Sequence, residues 1–233
     1  MKRAIFIDLD GTLLPLDENL FIKEYMDKVA LFMTKYGYDG NKIVEYIWKG
    51  TKAMYFNDGS KTNEELFFEV FEKENGSCTK EKDFFMKFYE EEFPSLKNTV
   101  TVNEDAKKFV AWCHKNFDYV ILSTNPLFPQ IATYERMKWL GLSPCDFDLV
   151  TTYENSCYCK PNPMYFIDLL HKFNLSGEEV IVVGNNDIED YDCSLKAGIE
   201  CIIVDDSRIT SNKVNIKKHC PFSKLIEEIK KSI

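Results

Sequence analysis

Beyond Glu104 the 233-residue chain alternates in texture without a break. Short apolar runs at 119–122, 148–150, 180–183 and 201–204 are separated by stretches of helical period at 105–114, 129–140, 163–173 and 189–197, and a last helix is expected at about 222–230. Short runs rich in Val, Ile and Leu read as buried strands, and apolar residues recurring at intervals of three and four read as helices. Strict alternation of the two implies right-handed βαβ crossovers. The expected fold is therefore α/β, a doubly wound and mostly parallel sheet with helices on both faces. Such sheets bind ligands off the carboxyl ends of their strands.

One more apolar run, Ala4-Ile5-Phe6-Ile7, opens the chain and is followed at once by Asp8-Leu9-Asp10-Gly11-Thr12. Residues two apart on an extended chain face the same way, which would put the two carboxylates roughly 6–7 Å apart along the strand. That gap admits a small reacting group, with one carboxylate attacking and the other moving a proton. Gly11 permits a sharp turn and a close backbone approach to a ligand. Taken alone, the pentapeptide reads equally well as a solvated turn, since Asp-Gly is a common turn pair.

Between this strand and the alternating region lie about 75 residues of helical period. Phe21, Tyr25, Val29 and Phe32 form one face, Ile43, Tyr46 and Ile47 a second, Leu66, Phe67, Val70 and Phe71 a third, and Phe84, Phe85, Phe88 and Tyr89 a fourth. The third is opened by Thr62-Asn63-Glu64-Glu65, a capped helix start. No strand is expected from 19 to 93, and the aromatic stripes read as helix–helix core. The polar, proline-bearing stretch 94–103 reads as a return linker. The chain thus divides into an α/β core at 1–15 and 100–233 and an all-helical insert at 16–99.

Polar residues gather just past each core strand. After Asp8 and Asp10 come Ser123-Thr124-Asn125-Pro126, a hydroxyl and amide cluster suited to phosphate oxygens. Cys159-Lys160-Pro161-Asn162-Pro163 follows, with Lys160 set between residues that fix the chain, and then Gly184-Asn185-Asn186-Asp187-Ile188-Glu189-Asp190. Each has a plain structural reading as an ST-turn, a surface lysine or a helix cap. Four such accidents in one order at one sheet edge are a poorer account than a shared site.

This order resembles the haloacid dehalogenase-like superfamily of phosphotransferases and phosphatases, over the whole chain. D-x-D-G-T matches the first motif, Thr124 the second, Lys160 the third, and Gly184-Asn185 through Asp190 the fourth. The helical segment sits where the family carries an α-helical cap of the first type on a Rossmann-like core. The resemblance implies that Asp8 attacks phosphorus to form an aspartyl phosphate, and that Asp10 protonates the leaving alcohol and then deprotonates water. It implies that Gly11, Thr124, Asn125 and Lys160 receive the phosphoryl group. It also implies that Mg²⁺ is held by Asp8 and Asp10 with Asn185, Asp187 or Asp190, the last three not distinguished. Asn185 stands where many relatives have Asp, and an amide oxygen ligates without bringing charge.

Charge counting supports the metal independently. At 4 Å and an effective dielectric near 20, each carboxylate facing a phosphate costs about 4 kcal/mol per unit pair, more than Lys160 alone offsets. A hard divalent cation with oxygen ligands does so. Dehalogenating relatives lack the second acid, because halide loss needs no proton donor, so Asp10 favours phosphoryl chemistry. A phosphomutase uses the same motifs and stays open, and a non-catalytic binding module rests on Asn185 alone. Selectivity is expected in the insert, from the loop Trp48–Lys52 and the turn Asn57-Asp58-Gly59, where Lys49 or Lys52 would meet a second anionic group.

The remaining features set limits. Formal net charge is −9, and nucleic-acid binders are more often basic, so the expected partner is a small phosphorylated metabolite and no nucleic acid. Asp8 and Asp10 interrupt what would otherwise imitate an export signal, and no run is long enough to span a membrane; the expected location is cytoplasmic. The eight cysteines read as free thiols, and Cys157-Tyr158-Cys159 lacks the spacing of a zinc site, although Cys159 beside Lys160 is a candidate redox thiol. Nothing in the sequence fixes the oligomeric state.

Overall fold

The computed structural model describes residues 2–211 and 213–233. In chain order the elements are β1 (Ala4–Ile7), α1 (Glu18–Lys35), α2 (Gly40–Tyr55), α3 (Asn63–Asn75), α4 (Thr79–Glu91) and α5 (Ala106–Asn116). They continue with β2 (Tyr119–Leu122), α6 (Gln130–Trp139), β3 (Leu149–Val150), α7 (Met164–Phe173) and β4 (Val180–Gly184). The chain closes with α8 (Cys193–Lys196), β5 (Glu200–Val204), β6 (His219–Cys220) and α9 (Leu225–Ile229). The strands form one parallel sheet in the order β3-β2-β1-β4-β5-β6.

Strand β1 is the pivot. Ile5 lies opposite Val120 of β2 on one side and Ile181 of β4 on the other. Crossovers leave β1 in opposite directions, so its carboxyl end is the place where strand order reverses and where doubly wound sheets bind ligands. Side chains alternate between faces with period two. Ile5, Ile7, Val120, Leu122, Ile181, Val183, Ile202 and Val204 join one core cluster. Ala4, Phe6, Ile121, Val180, Val182, Cys201 and Ile203 join a second with Phe166 and Leu169 of α7. Burial on both faces explains why these strands are unbroken apolar runs.

Helices α1 to α4 are the whole of the segment between β1 and α5 apart from loops and one 3₁₀ helix, and among the described residues from 18 to 91 there is no strand. Thr62 and Glu65 close the expected capping box at the start of α3. The two chain connections run side by side, with Leu16 bridged antiparallel to Val100 and the Thr101 amide donating to the Pro15 carbonyl at 3.0 Å. The first core cluster continues unbroken into the insert. Phe128, from the loop after β2, packs edge-on against Tyr25 of α1 with ring centroids 5.2 Å apart.

Three expectations are corrected and one strand is added. The linker at 94–103 begins as a 3₁₀ helix, Phe93–Thr99; Pro94 is tolerated in a first turn, and seven residues are too few for a three-residue period to stand out. The helix expected at 189–197 is a π-type turn, Asp187–Asp192, followed by α8. Strand β6 has only two residues, too few to show a period. Trp48 to Lys52 is no loop but lies in the third and fourth turns of α2. Among the described residues no helix is long and apolar enough to cross a membrane.

Phe93 ties the insert to the core. It is fully buried, stacks on Trp139 of α6 at 5.9 Å and meets Phe21 of α1 edge-on at 6.2 Å. Phe93→Ala is expected to cost about 3–5 kcal/mol of stability in urea unfolding, as a large cavity in a shared core does. A loss below about 1 kcal/mol would mean that the two parts are not packed through this ring.

Candidate active site

The site is assembled at the carboxyl end of β1 around Lys160. Its ammonium is 1% exposed and donates to Asp8 Oδ1 at 2.9 Å and to Asp190 Oδ1 at 2.6 Å. Burial alone would push this lysine down. The neighbouring Asp190 and then Asp8 outweigh burial and hold it well above its ordinary value, so it stays charged. Burial, opposed by Lys160, lifts Asp8 to about 7, with Asp190 and Asp10 adding repulsion. The strand ends at Ile7, and the Asp8 amide still donates to the Val183 carbonyl at 2.9 Å. The two aspartates therefore converge through a turn, not through strand alternation. Thr12 N and Leu14 N both return to the Leu9 carbonyl. Gly11 takes φ 78° there, and any Cβ would strike the Asn185 amide. Thr12 Oγ1 is shared between Asp8 Oδ2 at 3.0 Å and Asn185 Oδ1 at 3.3 Å.

Asp10 has a partner that the sequence did not reveal. Arg136 of α6 forms an ion pair with Asp10 Oδ2. Its guanidinium stacks over Phe128 at 4.7 Å and also donates to the Ala132 carbonyl and to Thr133 Oγ1. Asp10 Oδ1 is buried and has no hydrogen-bond partner among the described residues. The signal that could have exposed Arg136 is its position on the buried face of α6 with Ala132, Thr133 and Met137. A charge on that face needs a partner in the interior.

The fourth motif divides its labour. Asp190 Oδ2 accepts from the amides of Asn185 and Asn186, both at 3.0 Å, and its other oxygen is on Lys160. Gly184 allows this fold-back, because a Cβ there would meet the Asp190 carboxyl group. The residue that caps the following turn is Asn186, which accepts from Ile188 N and Glu189 N, and not Asn185. Asn185 instead donates from Nδ2 to the Ser207 carbonyl at 2.7 Å and turns Oδ1 toward Thr12. Asp187 is drawn away, held by Arg208 at 2.9 Å and by the Ser211 amide at 2.9 Å.

Other expected residues fall in three groups. Thr124 lines the site cavity with Asp8, Asp10, Gly11, Asn185 and Asp190. Asn125 lines it too, but its amide is committed to the Lys160 backbone, at 3.2 Å in both directions, and to Glu189 Oε2 at 3.0 Å. It positions Lys160 instead of presenting free donors. Lys49 lies between Glu45 at 2.8 Å and Glu74 at 2.7 Å and Lys52 lines a separate outer groove, so neither reaches the site cavity. The turn at Asn57-Asp58-Gly59 meets Tyr158 and likewise stays outside. All eight cysteines are unpaired; Asn63 donates to Cys159 Sγ at 3.2 Å, and burial pushes that thiol up, contrary to a reactive role.

The electrostatic balance is negative. Asp8, Asp10, Glu18, Glu189 and Asp190 line one cavity of about 110 Å³, against the two cations Lys160 and Arg136. Glu189, half-buried at the cavity wall, is lifted to about 7 chiefly by desolvation, with Lys160 opposing and Asp190 adding to the shift. Glu18 is raised by burial and by Asp10 and Asp190. Among the described residues no three His, Cys, Asp or Glu side chains are grouped so as to hold an ion by themselves. The oxygen-only character of the cluster and its excess of carboxylates nevertheless suit a hard divalent cation. Such an ion would be completed by carbonyl, amide and water oxygens.

Fold and site together define an α/β enzyme with an acidic centre at the switch point of a doubly wound sheet. Residues 5–204 match the family model of haloacid dehalogenase-like hydrolases, and the chain belongs to that family. No curated protein matches it significantly. Similar solved structures include a 2-haloacid dehalogenase from Pseudomonas syringae pv. Tomato DC3000, at 15% identity and TM-score 0.65 with both chains covered completely. A HAD phosphatase from Thermococcus onnurineus is 18% identical with TM-score 0.61 over 98% of each chain. A magnesium-bound structure of YfnB from Bacillus subtilis is 17% identical with TM-score 0.56 over 97% of each. At these identities the likeness is one of fold.

The raised pKa of Glu189 carries a stability consequence. A carboxyl group lifted to about 7 in the folded state binds its proton more tightly than in the unfolded chain. The stability it contributes is full below the unfolded value and is lost as pH rises through 7, a span on the order of 3 kcal/mol. Glu189→Gln keeps the shape and can keep the bonds to Asn125 and Tyr55. In metal-free protein it is expected to be more stable than wild type at pH 8 and equal to or less stable than it at pH 4.5, by urea unfolding. Parallel pH profiles for the two proteins would contradict this.

Proposed function

We propose that the chain is a Mg²⁺-dependent phosphatase that hydrolyses a small phosphate monoester through an aspartyl phosphate on Asp8. The observation that carries the reading is Asp10. Its carboxylate shares the cavity with Asp8, one oxygen is fixed by Arg136, and the other is buried and unpartnered. That free oxygen is the one able to hold a proton for a leaving group. Displacement of a halide has no use for such a donor, so Asp10 favours phosphate esters.

Asp8 Oδ attacks phosphorus, and the P–O bond to the alcohol breaks as Asp10 gives its proton to the departing oxygen. Water then attacks the phosphorus of the aspartyl phosphate, Asp10 takes up its proton, and inorganic phosphate leaves with Asp8 restored. Thr124 donates to a phosphoryl oxygen. Lys160, held charged by Asp190, offsets the negative charge of Asp8 and of the phosphoryl group. Asp8, the backbone carbonyl of Asp10 and Asn185 would hold Mg²⁺, which supplies charge neutralisation when bound. Asp190 and Asp187 are not assigned to it, being committed to Lys160 and Arg208. Residues 16–99 act as a cap that closes over the site about the paired connections at Leu16 and Val100.

With Mg²⁺, wild type is expected to hydrolyse phosphate monoesters. Asp8→Asn should lower kcat by more than about 10³-fold and Asp10→Asn by about 10²–10⁴-fold, and chelation should abolish turnover reversibly. Net transfer of the phosphoryl group to a second hydroxyl of the substrate, without release of inorganic phosphate, would assign a mutase instead. Equal inactivity of wild type and Asp8→Asn across a broad ester panel would leave a non-catalytic module.

A further inference from the structure

A second cavity, of about 140 Å³, adjoins the site between the helical insert and the core. Both cavities are lined by Glu18, Ile22, Tyr55, Leu127 and Phe128, so the two lie side by side. This places it where the alcohol portion of an ester would lie once its phosphoryl group is beside Asp8. The walls are mostly aromatic, including Tyr25, Trp48, Phe67, Phe68, Tyr89 and Tyr153. The expectation that these stripes serve only as helix–helix core is thus incomplete, because the rings pack together yet leave a space beside the acids.

The polar groups of this space are few, and three of its hydroxyls are already paired. Tyr25 and Tyr89 hydrogen-bond each other through their hydroxyls at 2.8 Å, and the Tyr55 hydroxyl donates to Glu189 at 3.2 Å. Among the described residues no lysine, arginine or histidine lines either cavity, and the one charged residue on the wall of the second is Glu18. A carboxylate or second phosphate on the substrate would be desolvated there beside another negative charge, and a polyol would exchange water for mostly aromatic walls with few polar groups. An uncharged hydrocarbon ring meets neither difficulty. Apolar cavities of about 150 Å³ stay dry and accept a benzene-sized guest.

We infer that the substrate is a phosphate monoester of an uncharged alcohol bearing an apolar ring, the ring occupying the aromatic cavity and the phosphate the acidic one. The inference rests on the phosphatase reading for its chemistry, the products being that alcohol and inorganic phosphate. It replaces the expectation of a second anionic group met by Lys49 or Lys52: Lys49 is held by Glu45 and Glu74, and Lys52, though on a neighbouring groove, lines neither cavity.

The test compares kcat/KM with Mg²⁺ for benzyl phosphate, glycerol 1-phosphate and phosphoglycolate. All three are alkyl esters, so an activated aryl leaving group does not bias the result. Benzyl phosphate should be favoured at least 100-fold over either. Thr51 lines the aromatic cavity and takes no part in the acidic centre. Thr51→Lys should cut that preference over phosphoglycolate at least tenfold while the protein remains folded by circular dichroism. Preferences within threefold, or in favour of phosphoglycolate, would overturn the inference and leave the phosphatase reading intact. Should no ester be turned over, the phosphatase reading fails. Benzyl alcohol alone, titrated against tryptophan fluorescence, then decides the cavity: saturable binding weakened at least tenfold by Thr51→Lys supports it, and no binding overturns it.

Discussion

The arrangement depends on one buried cation held between two carboxylates. Lys160 is shielded from water, and its attraction to Asp8 and Asp190 must offset its own desolvation. An ion pair of this kind is not a cheap source of stability, and removing either partner strands the other's charge in the interior at a cost of about 3–5 kcal/mol. What the arrangement provides is position. Asp190 is fastened by two backbone amides, Lys160 by the Asn125 amide, and Asp8 by the end of β1 and by Thr12. Three stretches distant in sequence therefore meet at one strand tip, with little freedom left to their charged ends.

Around that centre the molecule separates two tasks. The sheet supplies rigid termini that aim oxygen atoms and a lysine into one acidic cavity, while the helical insert supplies aromatic walls to the space beside it. Phe128 belongs to both. It comes from the core loop after β2, packs against Tyr25 of the insert, and supports the guanidinium that fixes Asp10. A change in the seating of the insert would thus be felt at Asp10 through Phe128 and Arg136.

Much of this was legible from residues alone. Both faces of each central strand are covered, so the strands appear as apolar runs that no other element imitates, and the helices between them follow from their period. Asp8, Asp10 and Thr124 stand just past a strand and Lys160 in the loop between β3 and α7, which is why a one-dimensional pattern gave their meeting place. The misses have physical causes too. Arg136 lies 126 residues from Asp10 within a helix of ordinary appearance, and only tertiary packing shows that its charge points inward. Asp187, Asp190 and Asn185 are chemically similar acceptors within a few residues. The π-type turn decides which of them faces Lys160, Arg208 or Thr12, and turn geometry of that kind has no sequence period. Lys49 and Lys52 looked available because the sequence does not display the glutamates and groove that surround them in space.

The central claim is most directly tested by a double-mutant cycle between Lys160→Met and Asp190→Asn, read as urea unfolding free energies of the metal-free proteins. If the buried cation and Asp190 hold each other in place, each single change is costly and the double change is much less so than their sum, with a coupling of about 2–3 kcal/mol. Costs that add to within about 0.5 kcal/mol would contradict the account, because Lys160 would then not be the group on which Asp190 closes.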